Sequence, residues 1–399
     1  MSTGIELFKN KYDCCGCGAC YNACPKQAIH FEKDEYGFIF PKINNELCVS
    51  CGICNSVCPI QNDSIVYKPQ LVYAAVLNDA KIKKKSASGG VFAGIAKHIL
   101  SQGGVVYGAA YGDKQYVHHI GVSTVDKLKQ LQDSKYVQSD IEKTYTEVKQ
   151  KLVEGKKVLF SGTPCQIAGL KLFLRKDYEN LFTIDLICHG VPSYQIFYDG
   201  VRAVVEDEEK IEKVSFRDKD RGWGTDGYIQ TDKKRYIIDE IKSSYYYYFL
   251  HSLIYRDSCY QCKYASDNRP GDFTIGDYWR INTAHPEHKK SINVEEGVSC
   301  LLINTDKGKA LFEEVWEDFT LIKSTVELVK ARNGRLNNCE PMPILREKLL
   351  EIYKENGYGA IDEYWKNYAW KELFFLKVKE YIRPAYKVFL RFISNLLKR

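Results

Sequence analysis

Cys14, Cys17, Cys20 and Cys24-Pro25 read C-x2-C-x2-C-x3-C-P, and Cys48, Cys51, Cys54 and Cys58-Pro59 repeat that spacing. A doubled run of this kind leaves the chain little choice there. It is the spacing of thiolate ligands to a pair of 4Fe–4S clusters, with the fourth cysteine of each run serving the other cluster. Three thiolates two residues apart grip one cluster within a tight loop. The fourth, three further on and followed by proline, points away from it. Cluster one is therefore expected on Cys14, Cys17, Cys20 and Cys58, and cluster two on Cys48, Cys51, Cys54 and Cys24. Gly16, Gly18 and Gly52 lie between ligands, where the backbone must turn tightly. Zinc also takes four cysteines, but the repeated spacing, the two Cys-Pro endings and the lack of interleaved histidine favour iron–sulfur.

Between the runs, Ala28–Phe31 and Gly37–Phe40 read as two short strands, so residues 1–62 are expected to form a ferredoxin-like α+β head built from two copies of one unit. Residues 61–69 look like a linker. The rest reads as alternating strand and helix. Leu71–Leu77 is a continuous apolar strand. A basic stretch, Lys81–Lys85, leads into Ser86-Ala87-Ser88-Gly89-Gly90 and a helix with Val91, Ile95 and Ile99 on one face. Such a loop suits a phosphate, through free N–H groups and the positive end of the helix dipole, or serves simply as a cap. Further strands are expected at 105–111, 120–124, 158–160, 181–187, 272–276 and 299–303, with helices in most of the remainder. Ser139-x-x-Glu142 reads as a capping box opening a helix whose apolar face is Ile141, Tyr145, Val148 and Leu152. The alternation predicts a parallel sheet, whose ligands bind beyond the carboxyl ends of its strands. Cys165, Cys188 and His189 fall at such ends; they suit either chemistry or a buried core. His189 is the candidate catalytic residue.

Several motifs together, in order and spacing, resemble one family. They are Ser88-Gly89-Gly90, Ser134-Lys135-Tyr136, Ser161-Gly162-Thr163-Pro164-Cys165-Gln166, Cys188-His189-Gly190, Cys259-x2-Cys262 and Gly276-Asp277-Tyr278-Trp279. The family is the beta-subunit family of the deazaflavin-coenzyme (F-420) hydrogenases and dehydrogenases. The resemblance implies an α/β flavin-binding core with a small α+β two-cluster ferredoxin-like N-terminal domain, divided at 1–62, 70–325 and a helical 326–399. It implies FAD, with Ser88, Gly89 and Gly90 on its phosphates and Ser134, Lys135, Tyr136, Gly162, Thr163 and Gln166 along the flavin. The implied function is an oxidoreductase passing electrons between 4Fe–4S clusters, FAD and a small-molecule or deazaflavin substrate. A non-catalytic electron-transfer subunit is the alternative. The partner would be a ferredoxin or another oxidoreductase subunit.

Four cysteines remain for a third 4Fe–4S cluster: Cys165, Cys188, Cys259 and Cys262, with Cys300 and Cys339 as substitutes. Cys165, at a helix start, is expected to have a lowered thiol pKa. Cys15 is surplus. Of the 399 residues, 27% are charged and the net charge is +6, which gives no argument for a nucleic-acid partner. The chain shows no apolar run of the roughly eighteen residues a membrane span needs and no secretion signal at its start, so a cytoplasmic location is expected. After Pro384 an apolar face (Phe389, Phe392, Ile393, Leu396) opposes Lys387, Arg391 and Lys398, a pattern that suits either a membrane surface or a protein partner.

Overall fold

In the computed structural model, which describes residues 5–224, 226–289 and 291–369, the cysteine-rich segment folds around an antiparallel ribbon of β1 (Ile29–Lys33) and β2 (Ile39–Ile43). Gly18 and Gly52 stand in the left-handed region, at φ 73° and 71°, and each opens a short helix, Ala19–Ala23 and Ile53–Ser56. The same device at the same place in both runs makes the head a duplicated unit. The basic amphipathic tail expected at 385–399 lies outside the described residues.

The core strands are β3 (Leu71–Leu77), β4 (Val105–Tyr111), β5 (Val117–Val122), β6 (Val158–Gly162) and β7 (Leu181–Leu186). A separate three-stranded antiparallel sheet follows, made of β8 (Ile211–Ser215), β9 (Gly227–Thr231) and β10 (Arg235–Ile238). The chain then returns with β11 (Phe273–Asp277), β12 (Ser299–Ile303) and β13 (Phe319–Lys323). The eight-stranded sheet runs β13-β3-β12-β11-β7-β6-β4-β5. Only its centre, β4-β6-β7-β11, is parallel; the flanking pairs are antiparallel. The parallel sheet expected from strand–helix alternation forms the centre, and antiparallel strands extend it on both sides. Residues 319–323, within a stretch read as helical, form its edge strand instead, because Phe319 and Ile322 find buried places beside β3.

Helices Val91–Ser101 and Asp306–Glu313 cover one face through Ile95, Ile99, Leu311 and Phe312. Helices Thr144–Val153 and Pro164–Leu174 cover the other, and the head packs onto them: Cys17, Ala19 and Val57 share a core with Tyr145, Val148, Ile167 and Leu170. Gly169 permits that approach, since a Cβ there would stand 3.0 Å from Cys17 Sγ. The face Ile141, Tyr145, Val148 and Leu152 is buried as expected, but Ser139 does not cap this helix. Backbone bonds from Asp140 N–H to Val117 O and from His119 N–H to Asp140 O hold residues 139–141 extended against β5, so the helix starts only at Thr144.

The carboxyl ends of β3, β6, β7 and β11 all open on one edge of the sheet. Gly89 fixes that edge by its smallness. A Cβ there would strike Ala75 O and come within 2.6 Å of Ser299 N. Both atoms are backbone of paired strands and cannot step aside. Gly89→Ala should destabilise the protein by about 1–3 kcal/mol, the range for overpacking, as measured by urea unfolding; an unchanged midpoint would show that the edge can yield.

Candidate functional site

At this edge lies a cavity of ≈ 330 Å³. Its walls bring together Ser88, Gly90, Ser134, Lys135, Tyr136, Gly162, Thr163, Gln166 and His189, which the sequence places up to 101 residues apart, and all four of Cys165, Cys188, Cys259 and Cys262. Gly89 is the exception among the expected residues. Its N–H donates to Ser299 Oγ at 2.9 Å and its carbonyl accepts from Leu77 N–H at 2.8 Å, so both its backbone groups are used by the sheet and it does not line the cavity.

The loop before helix Val91–Ser101 is held by Lys219, whose ammonium donates to Ser88 O at 2.5 Å and Lys83 O at 2.9 Å. Burial, and then the neighbouring Arg217, push the Lys219 pKa down to about 8. Lys135 is also brought down to about 8, by burial; its ammonium donates to the carbonyls of Gln130, Gln132 and Asp133, knitting the loop ahead of Ser134. Tyr136 stacks on Phe249, with ring centroids 4.4 Å apart, and on Phe216 at 4.9 Å. Gln166 is spent locally: its Oε1 accepts from Thr163 N–H at 3.0 Å and its Nε2 donates to Ser139 O at 3.0 Å.

His189 opens onto the cavity and has no hydrogen-bond partner among the described residues. Protein on its other sides, together with the Arg335 charge, pushes its pKa down to about 4, so the ring is neutral at physiological pH. Sequence reasoning passed over several wall residues. His119 lines the cavity as a second neutral histidine, its pKa brought down to about 4 by burial; its Nε2 meets Ser161 O at 3.0 Å, which leaves Nδ1 to accept from Ser139 Oγ at 2.8 Å. Arg217 grips Asp277 through two nitrogens at 2.6 and 3.3 Å, Trp223 Nε1 donates to the same carboxylate at 3.1 Å, and Trp223 stacks on Trp279 at 4.9 Å. An arginine directly after the alternating Val214-Ser215-Phe216 was the available signal.

The four thiols come from three segments: Cys165 after β6, Cys188 after β7, and Cys259 with Cys262 on a loop. Cys188 and Cys262 feel the charge of Cys165, and Cys259 that of the other three. Burial raises them, Cys188 to about 12 and Cys262 to about 11. The lowered pKa expected for Cys165 is not found. The adjacent Cys15 thiol, followed by burial, holds the Cys165 thiol well above the usual range, and these outweigh the Thr163 hydroxyl at 3.2 Å. The surplus Cys15 is therefore a neighbour of Cys165, at the junction of head and core. Cys339 also lines the cavity, donating to Tyr260 O at 3.0 Å, whereas Cys300 is buried beneath the sheet edge facing Asp277 O.

Whether the walls suit a polar cofactor can be judged from what they leave unsatisfied. Ser258 Oγ and Arg335 Nε, on residues lining the cavity, are buried without a partner. Buried polar groups are normally paired, so a group carrying hydrogen-bond acceptors fits here. In the head, Cys14, Cys17, Cys20 and Cys58 line a cavity of ≈ 350 Å³, together with Cys15 and Cys54. Cys24, Cys48, Cys51 and Cys54 surround a smaller one. The two sets follow the crossed pattern. Among the described residues no group of His, Cys, Asp or Glu side chains is arranged to hold a single metal ion; a cube holds its thiolates at its corners, wider apart than ligands of one ion.

Residues 155–327 match the family model for the C terminus of the coenzyme F420 hydrogenase/dehydrogenase beta subunit, and residues 9–66 match that of the 4Fe-4S dicluster domain. No curated protein matches the chain. Among solved structures the chain is similar to one in the xenon-derivatised F420-reducing [NiFe] hydrogenase complex from Methanosarcina barkeri, with 16% identity over 72% of this chain and 93% of that one and a TM-score of 0.46.

Proposed function

Residues 155–327 belong to the coenzyme F420 hydrogenase/dehydrogenase beta-subunit family, and from that premise we propose that the chain is an iron–sulfur flavoprotein oxidoreductase with FAD in the cavity at the sheet edge. One observation carries the reading. The four spare thiols and eight of the nine expected FAD residues share a single cavity, and Cys15 lines both it and the thiol-lined cavity of the head. Bound there, FAD would take electrons singly from clusters and exchange them pairwise with an organic substrate.

The chain's own residues have separate tasks. Gly90 and the start of its helix offer N–H groups to a phosphate, and Lys219 holds that loop in shape. Arg217, fixed by Asp277, keeps a cation at the wall. Neutral His189 can accept or return a proton on the cavity side. Cys165, Cys188, Cys259 and Cys262 would hold a third cluster, and Cys14–Cys58 the two of the head. Cys51 is exposed, so cluster two is where an external ferredoxin or another oxidoreductase subunit would deliver or collect electrons.

Anaerobic purification with flavin extraction and iron analysis tests this. The expected result is FAD near one per chain and about twelve irons, for three cubane clusters. Clusters without flavin, even after reconstitution with FAD, would overturn it. The family's beta-subunit description favours a second reading, an electron-transfer subunit whose chemistry occurs in a partner. Steady turnover of an artificial acceptor by the isolated, flavin-loaded chain separates the two.

A further inference from the structure

Arg256 is wholly buried and has no ion pair among the described residues. A buried guanidinium without a counter-charge is strongly disfavoured, so what surrounds it matters. Nε donates to Cys14 O at 2.5 Å, Nη1 to Gln138 Oε1 at 3.2 Å and Nη2 to Ile39 O at 2.9 Å. The Phe40 ring lies 4.1 Å from Cζ. All of these partners are neutral. Asp34 is near enough to feel the charge, but only as the weakest influence upon it, and its Oδ1 is taken by the Tyr36 and Phe38 N–H groups. The guanidinium carbon stands 3.4 Å from where a Gly16 Cβ would be, inside the loop that carries Cys14 and Cys17.

We infer that Arg256 is the counter-ion of cluster one and sets its reduction potential. This rests on the iron–sulfur reading of the head. A cube with four thiolates is anionic, and one further electron makes it more so. A fixed buried cation beside it therefore favours the reduced form and raises the potential. At cluster two, whose Cys51 is exposed, the cation lining the ligand cavity is Lys26, itself exposed to solvent, and among the described residues no buried arginine or lysine lines it. Within the head, Arg256 thus makes cluster one a better electron acceptor than it would be without that charge. Arg256 itself comes from the segment that carries Cys259 and Cys262, so the core supplies the charge that draws electrons toward it.

The test is an anaerobic, EPR-monitored redox titration of the full chain, with iron analysis alongside. Arg256→Gln should lower one of the head's two midpoints by at least the equivalent of a tenfold drop in reduced fraction, about 59 mV for one electron, and leave the other in place. Arg256→Lys should restore most of that difference. Gln138→Glu keeps the arginine but sets a carboxylate against it, and should shift the same midpoint in the same direction; it serves if Arg256→Gln does not fold. Full iron with both midpoints unmoved in the Arg256→Gln or Gln138→Glu protein, or with both moved equally, would overturn the inference. A wild-type chain that holds no iron in the head would instead overturn the reading on which it rests.

Discussion

Replacing Cys259 and Cys262 together with serine should leave about eight irons per chain against the roughly twelve proposed for the intact protein, and should uncouple reduction of the proposed flavin from the head. The two thiols sit on a segment packed over the mouths of β6 and β7, where Cys165 and Cys188 emerge, and of the head's cysteines Cys15, which neither head cluster uses, lines the same cavity. Cys15 and Cys339, both in the cavity wall, are the available substitutes, so the quadruple substitution that adds Cys15→Ser and Cys339→Ser is the stricter form. Iron analysis of anaerobic protein and the rate of flavin bleaching by reduced ferredoxin are the measurements. An iron content near eight in the unsubstituted protein would show that the four thiols are buried core residues.

Asp185→Ala should be nearly as damaging by a different route. Asp185 and Arg269 are almost fully buried, and Arg269 Nε and Nη2 donate to Asp185 Oδ1 at 3.0 and 2.5 Å. Arg269 also donates to Tyr264 O and Ser266 O, just beyond Cys262, and to Leu186 O, two residues before Cys188. The pair is therefore a strut that ties the cysteine loop to the end of β7. Removing the carboxylate leaves a buried charge uncompensated, at a cost of about 3–5 kcal/mol. Urea unfolding should report that loss, with third-cluster iron lost alongside. Full stability in the variant would mean that the loop is held by packing alone.

The parts of this site that were readable in the sequence are those with local causes. Cluster spacing is a property of a short consecutive run, and the βα units around Cys165 and Cys188 declare themselves through an apolar run, a turn and a cap. What escaped depends on segments that meet only in the folded chain. Arg217 and Asp277 are 60 residues apart, and Arg256 is 118 from Gln138. Ser139 carried a correct local signal that lost to β5, because pairing Asp140 with Val117 and His119 satisfies more backbone than an earlier helix start would. Gly89 shows the reverse error: a glycine beside a phosphate-ready loop read as a ligand contact, though its neighbours are the backbones of β3 and β12. The family resemblance located the cavity wall, yet it did not distinguish residues free to meet a ligand, such as His189, from those already committed, such as Gln166.

The reach of Arg256 bears on how the protein is made. The arginine follows Cys14 by 242 residues. At roughly 5–20 residues per second of synthesis, both cysteine runs, complete at Cys58, precede it by about ten to forty seconds. A cluster assembled in the nascent head is thus built without its cation, within a solvated fragment, and is seated against Arg256 only when the second half of the chain arrives. The order of translation separates loading the metal from tuning it.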